Sequence, residues 1–445
     1  MFPSRVAVLV AGGGAAGFMA AIAAAEAGAA DVHLLEATLQ PLNKVLISGG
    51  GRCNVTHACW DPRALAGHYP RGGKALRGPF SRFAAGDAVA WFDDHGLELV
   101  EEPDGRMFPR SNRSESVVAT LRRAAQAAGV QLHTGVQLQK AGPLPARDDG
   151  PGGFALELRV ARSADGGQPD SNRQTAMASQ LVLATGSHPS GRQLAASLGH
   201  DLVPPVPSLF TLALANHPLL ELAGVVMDPV ELELDLELEL DLPPEGGSPT
   251  PTRFRQRGPL LITHWGLSGP ATLRLSAFAA RALKQTAYRG RLKVDWTGGR
   301  SQAELEAWFA LARRDQAKRQ LANWRPWPEL GRRLWLHLLA QAGVDQERRW
   351  ADLAKTHQLA LIQALRASSY AITGRGPFGE EFVTAGGIPL GEINMASMES
   401  RRQGQLYVVG ELLDVDGITG GFNFQHCWSS GWLAGQAIAE AQRAT

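Results

Sequence analysis

Cysteine is scarce: Cys53, Cys59 and Cys427 are the only three in 445 residues. None stands in a C-x-x-C pair and the count is odd, which excludes a disulfide framework, a zinc pattern and the paired redox cysteines of disulfide reductases. The expected compartment is therefore a reducing cytoplasm. A charge excess is also lacking. Lys and Arg number 44 against 43 Asp and Glu, a net charge of +1, so nothing in bulk electrostatics calls for nucleic acid or a membrane. Charged residues at 20% and apolar residues at 44% exclude a disordered chain and a membrane bundle. The length suggests two or three domains, at roughly 100 to 200 residues each.

Glycine is the residue in excess, 50 of 445 against a usual share near ~7%. It falls in short clusters without a collagen period, which marks places where backbone comes close to something. The first cluster lies in an uncharged stretch, Val6 to Ala25, that superficially resembles a signal peptide or a short membrane span. Read residue by residue it is neither. Val6–Val10 is an apolar run of strand type, Gly12-Gly13-Gly14-Ala15-Ala16-Gly17 gives G-x-G-x-x-G, and the Ala-rich sequence to Ala27 reads as a helix stopped by Gly28. A second strand, Val32–Glu36, closes on an acid. This is a dinucleotide-binding βαβ unit. Gly12 permits the tight turn, Gly14 admits the pyrophosphate, Gly17 lets helix pack on sheet, and Ala15 and Ala16 open the helix towards the phosphates. Glu36 is placed to accept from an adenosine ribose, which favours FAD or NAD over NADP.

Two further segments separate FAD from NAD. In Asn43–Thr56, Gly49, Gly50 and Gly51 are flanked by Lys44, Ser48, Arg52, Cys53 and Asn54; such a loop suits a phosphate or a flavin edge, although a plain surface loop has the same composition. Leu406–Glu411 is a strand closing in Gly410-Glu411, followed by Asp414-Val-Asp416-Gly417-Ile-Thr419-Gly420-Gly421-Phe422-Asn423 and a helix over about 425–441. A strand–glycine–helix unit at each end of the chain suits FAD, which is long enough to run from an N-terminal adenine site to a C-terminal flavin site. A helix N-terminus there stabilises negative charge on the flavin.

These motifs, with Thr263-His264-Trp265-Gly266-Leu267-Ser268-Gly269-Pro270 and Thr384-Ala385-Gly386-Gly387, together resemble the BaiN/YhiN-type flavoproteins, NAD(P)/FAD-dependent oxidoreductases of aminoacetone-oxidase-like type, from end to end. One segment departs from the pattern: after Ala184-Thr185-Gly186 the stretch 187–192 is compressed. The resemblance implies an α/β fold, with a Rossmann-like FAD-binding domain made of N- and C-terminal segments (1–190 and 371–445), an inserted β-rich subdomain (191–300) and a small helical subdomain (301–370). It brings Val136, Thr185, Gly186, Gly410, Glu411, Asp416, Gly421, Phe422 and Asn423 into the cofactor set with the glycine loops. It points to oxidation of small amines or amino ketones, to reduction of an activated C=C bond in a steroid-like enone, or to reduction of uridine in ribosomal RNA. A flavin-bound redox sensor or RNA-binding protein without turnover stays open beside these.

The middle of the chain has a different texture. From Asp228 to Leu242 apolar residues alternate with acids, which predicts a half-exposed strand and no metal site. Pro243–Thr252 reads as a loop, and further strands are expected near 259–264 and 291–296. Residues 301–368 have helical spacing, and arginines outnumber acids among Trp308, Trp324, Trp327, Trp335 and Trp350. Either the tryptophans are a core with solvated arginines around it, or the pair of residue types binds RNA. Three residues are candidates for chemistry: Cys53 as general acid, His264 as proton donor or substrate anchor, and Arg52 on a substrate carbonyl or cofactor phosphate, with His426 a weaker option. A second full Rossmann motif is absent, so either NAD(P)H would dock transiently as electron donor or the substrate would reduce the flavin itself. Substrate and oligomeric state are not readable.

Overall fold

The computed structural model describes residues 2–145, 152–161, 173–236, 252–377 and 383–444. The chain forms two compact units, Met1–Pro205 with Val383–Thr445, and Val206–Phe382. The divisions fall at 205/206 and 382/383, where the sequence suggested 190/191 and 370/371.

In the first unit, β1 (Arg5–Ala11), α1 (Ala15–Glu26) and β2 (Val32–Glu36) form the expected βαβ element. The parallel sheet runs Leu406–Val408, Arg173–Leu183, β1, β2, Gln131–Thr134. A strand from the C-terminal segment thus extends the sheet begun at the N-terminus. α1 is apolar on every side because every side is covered: Ala15 to Ala24 are all buried. One partner is the C-terminal helix Phe422–Ala444, which begins earlier and ends later than expected. There Gly431 and Gly435 let backbone approach backbone; a Cβ would lie 2.6 Å from Ala16 O and 2.6 Å from Ala24 N respectively. Val6–Ala25 is accordingly the centre of this unit. Between the two halves come α2 (Asn43–Gly51), α3 (Pro62–Ala66) and α4 (Gly73–Phe80).

The second unit is a closed six-stranded barrel, in the order Leu212–Leu214, Gly266–Ser268, Arg253–Ile262, Val226–Asp235, Gly290–Asp295, Ser368–Arg375. Period-two alternation works as expected in Val226–Asp235: Val230, Leu232 and Leu234 are buried. Glu231, Glu233 and Asp235 lie opposite Arg257, Arg255 and Arg253 in the ladder and pair with them on the outer face. Leu238, Leu240, Leu242 and the expected loop up to residue 251 lie outside the described residues. The helices Gln302–Asp315, Arg332–Gln341 and Lys355–Ala367 share one core with the barrel. Trp335 and Trp350 are fully buried there, while Trp308 and Trp324 stack on each other at 4.9 Å. Trp335 and Trp350 are therefore packing, and two of the segment's arginines brace loops: Arg313 donates to Leu353 O, Arg333 to Glu221 O. Among the described residues no helix is long and apolar enough to cross a membrane.

Candidate functional site

The site is built around the turn from β1 to α1. At Gly12 a Cβ would lie 2.4 Å from Ala184 O, and at Gly17 one would lie 1.9 Å from Gly12 O, so both glycines are imposed by close backbone approach. Above Gly14 nothing lies within 4 Å of a Cβ position. α1 starts there without a side-chain cap and without an acid in its first turn, so its amide end and positive dipole are unspent. Glu36 Oε2 accepts from Gly13 N at 3.0 Å and Oε1 from Thr38 N at 2.8 Å, which fixes the carboxylate beside the turn. Val136 is buried at the start of the strand that follows Gly135, whose N–H donates to Thr38 O.

α2 is interrupted by non-helical geometry at Ser48, Gly49 and Gly50, and Gly51 also has positive φ. The space above Gly50 and Gly51 is open. Leu42 N donates to Gly13 O, tying this segment to the first turn. Lys44 Nζ reaches Glu411 Oε2 at 3.1 Å and Ser187 Oγ at 3.3 Å, so three separate motifs meet at one cation. Gly186 and Thr185 stand beside them; the Thr185 hydroxyl is buried and has no partner among the described residues, and a Cβ on Gly186 would lie 3.7 Å from Glu411 Oε2. Gly410, with positive φ, packs on Ala16, donates to Ser430 Oγ and accepts from His426 Nε2.

The segment after the second glycine loop is held along the C-terminal helix. Thr56 Oγ1 donates to Gln425 Oε1 at 2.5 Å and Trp428 Nε1 donates to Val55 O at 2.9 Å. Asn54, oriented so that its amide is satisfied, accepts from Gly421 N at 3.0 Å. A Cβ on Gly421 would sit 2.5 Å from Thr56 O. Phe422 stacks on His57 and His68, with centroids 4.8 and 4.3 Å away. Asn423 pins the turn at Gly417 through both its amide atoms.

Three expectations change. Asp416 is not a cofactor contact: its carboxylate is fully buried and takes Arg71 Nε and Nη2 on its two oxygens. Cys53 is 0% exposed, and burial pushes its thiol up to about 12, so no substrate reaches its Sγ. Arg52 lies 3.9 Å over the Phe108 ring, with Glu102 and Asn112 accepting from its guanidinium. Its charge is committed to bracing α2. His264 belongs to the second unit, exposed in a turn closed by Thr263 and Gly266. His426 is buried; desolvation drives its pKa down to about 4, leaving it neutral. Tyr69, Arg71 and Gln425 were missed. Tyr69 OH donates to Phe422 O and Arg71 neutralises Asp416, yet neither belongs to a motif; only the Gly72-Gly73 pair after Arg71 signals a close approach.

The HI0933-like protein Rossmann domain profile matches residues 6–437. The chain belongs to this family. Over 436 residues it is 31% identical to the 3-dehydro-bile acid delta(4,6)-reductase of Clostridium scindens, covering 96% of this chain and 98% of that one. It is 28% identical to the ribosomal RNA dihydrouridine synthase of Escherichia coli, covering 98% and 99%. Among solved structures, the 3-ketosteroid delta1-dehydrogenase of Sterolibacterium denitrificans has a similar fold, at TM-score 0.51 and 11% identity over 99% of this chain and 100% of that one. The HI0933-like chain is an FAD-dependent oxidoreductase. Its residues fit that cofactor: unspent amides at α1, a fixed acid at Glu36 and open space over Gly14, Gly50 and Gly51.

Proposed function

We propose that the protein reduces an activated carbon–carbon double bond, conjugated to a carbonyl, with electrons from NAD(P)H. The observation that carries this reading is the chain-long similarity to the bile acid reductase, joined to a first unit whose thiols are unsuited to dithiol chemistry. Cys53 and Cys427 are both buried and both pushed up to about 12 by desolvation. Bound FAD supplies hydride transfer. The chain's own part would be to bind and orient: α1 amides would hold the pyrophosphate, Glu36 would hold the ribose, and Phe422, His57 and His68 would wall off water. The steroid enone and the uracil ring share the same conjugated C=C–C=O unit, and the similarity to the RNA enzyme supports uridine as a second substrate reading.

Anaerobic mixing with NADPH or NADH is expected to bleach the flavin, and a steroid enone or a uridine-containing RNA to restore its colour. A flavin that neither nicotinamide bleaches, or peroxide released from amines in air, would overturn the reading. Mass spectrometry of ribosomal RNA with and without the gene separates the substrates: dihydrouridine that disappears selects RNA, and an unchanged profile selects the enone.

A further inference from the structure

The first unit carries a groove that the cofactor site does not use. It has a volume of about 680 Å³ and is lined by Asp61, Pro62, Arg63, Arg77, Gly78 and Ser81, so that α3 forms one wall and α4 the other. Arg63 and Arg77 are exposed, and among the described residues neither guanidinium has a hydrogen-bond or ion-pair partner. Trp60, next in the chain to Asp61, is 53% exposed, an unusual position for an indole. Asp61 Oδ1 accepts from Ala64 N, which fixes its carboxylate at the same rim. The connection between the two walls is bolted to the loop before the C-terminal helix. Ile418 N donates to His68 O at 3.0 Å, Tyr69 OH to Phe422 O at 2.6 Å, and Arg71 to Asp416.

An exposed indole, two free guanidinia and one acid are groups that a phosphorylated nucleoside can use: a surface for the base, charge for the phosphate and an acceptor for a ribose hydroxyl. A nucleic-acid strand needs a longer file of cations than these two arginines. We infer that this groove docks the phosphorylated adenosine end of NADPH, with Trp60 under the adenine and Arg63 and Arg77 on the 2′-phosphate. The inference rests on the NAD(P)H-fed reading. It supplies what the chain lacks, a second dinucleotide motif, with a shallow site from which a spent donor leaves easily.

Calorimetric titration with adenosine 2′,5′-bisphosphate, with ADP for comparison, tests the site without any redox step. The bisphosphate is expected to bind more tightly than ADP. Arg63→Gln with Arg77→Gln should weaken it by at least ~10-fold and remove the preference, and Trp60→Ala should weaken both ligands. Flavin content is expected to be unchanged, as is the rate at which a steroid enone reoxidises protein reduced with dithionite. The conservative pair Arg63→Lys with Arg77→Lys should retain most of the binding and guards against misfolding. Unaltered bisphosphate affinity in the Gln variant overturns the site, and so does an oligouridylate that binds there when the bisphosphate does not. The donor reading itself falls only if wild-type flavin is bleached by neither nicotinamide.

Discussion

At the scale of single residues, the strongest constraints are steric. Gly17→Ala places a methyl group 1.9 Å from Gly12 O. The strain is expected to cost about 1–3 kcal/mol and to release FAD, seen as lost flavin absorbance in protein that still folds. Asp416→Asn leaves the Arg71 guanidinium, itself nearly buried, without its counter-charge; urea denaturation is expected to show a loss of about 3–5 kcal/mol. Glu411→Gln breaks a pair whose lysine is 69% exposed, and stability should change by under ~1 kcal/mol. The histidines add a pH dependence. His57, His133, His217, His337 and His426 all have pKa values lowered by desolvation, His426 to about 4 from 6.5. Between those two values the unfolded chain binds a proton at His426 that the folded chain refuses. The urea midpoint should therefore fall as pH drops from 6.5 towards 4, and His426→Gln should flatten that slope.

Elements differ in how openly their sequence announced them. β1, α1 and β2 were legible because strand, glycine turn, helix and acid follow one another locally, and Gly12 and Gly17 make the close approaches that their spacing suggests. Val226–Asp235 was legible because side chains alternate with period two. The arginine ladder on its outer face was missed, although Arg253, Arg255 and Arg257 alternate too, because their register against the acids is set by the pairing and not by either strand alone. Leu234→Ala is expected to cost about 2–5 kcal/mol, and loss of Arg255, whose side chain is largely exposed, under ~1 kcal/mol; thermal melts of the two variants check the contrast. The tryptophan-rich helical stretch left two readings open, and the burial of Trp335 and Trp350 makes those two rings part of the core. Asp416 was misjudged for a related reason. A carboxylate in a glycine loop looks the same in sequence whether it faces a ligand or a buried arginine.

At the scale of the molecule, the barrel and its helices were the least legible part. Closure depends on Leu212–Leu214 meeting both Gly266–Ser268 and Ser368–Arg375, pairings that no local pattern encodes. Because Trp296 and Tyr370 of the barrel belong to the same core cluster as Trp335 and Trp350 of the helices, that unit should lose its structure in one step. Residues 206–382 expressed alone are expected to give a single urea transition by both circular dichroism and tryptophan fluorescence, and two separated transitions would contradict a common core. The first unit has the opposite character. Its sheet and its central helix are completed by Leu406–Val408 and Phe422–Ala444. During synthesis the inserted barrel is therefore whole before the segment that began first has anything to close upon. α1, apolar all round, waits through most of translation for the helix that covers it, and over that interval it is the natural target of a chaperone or of aggregation.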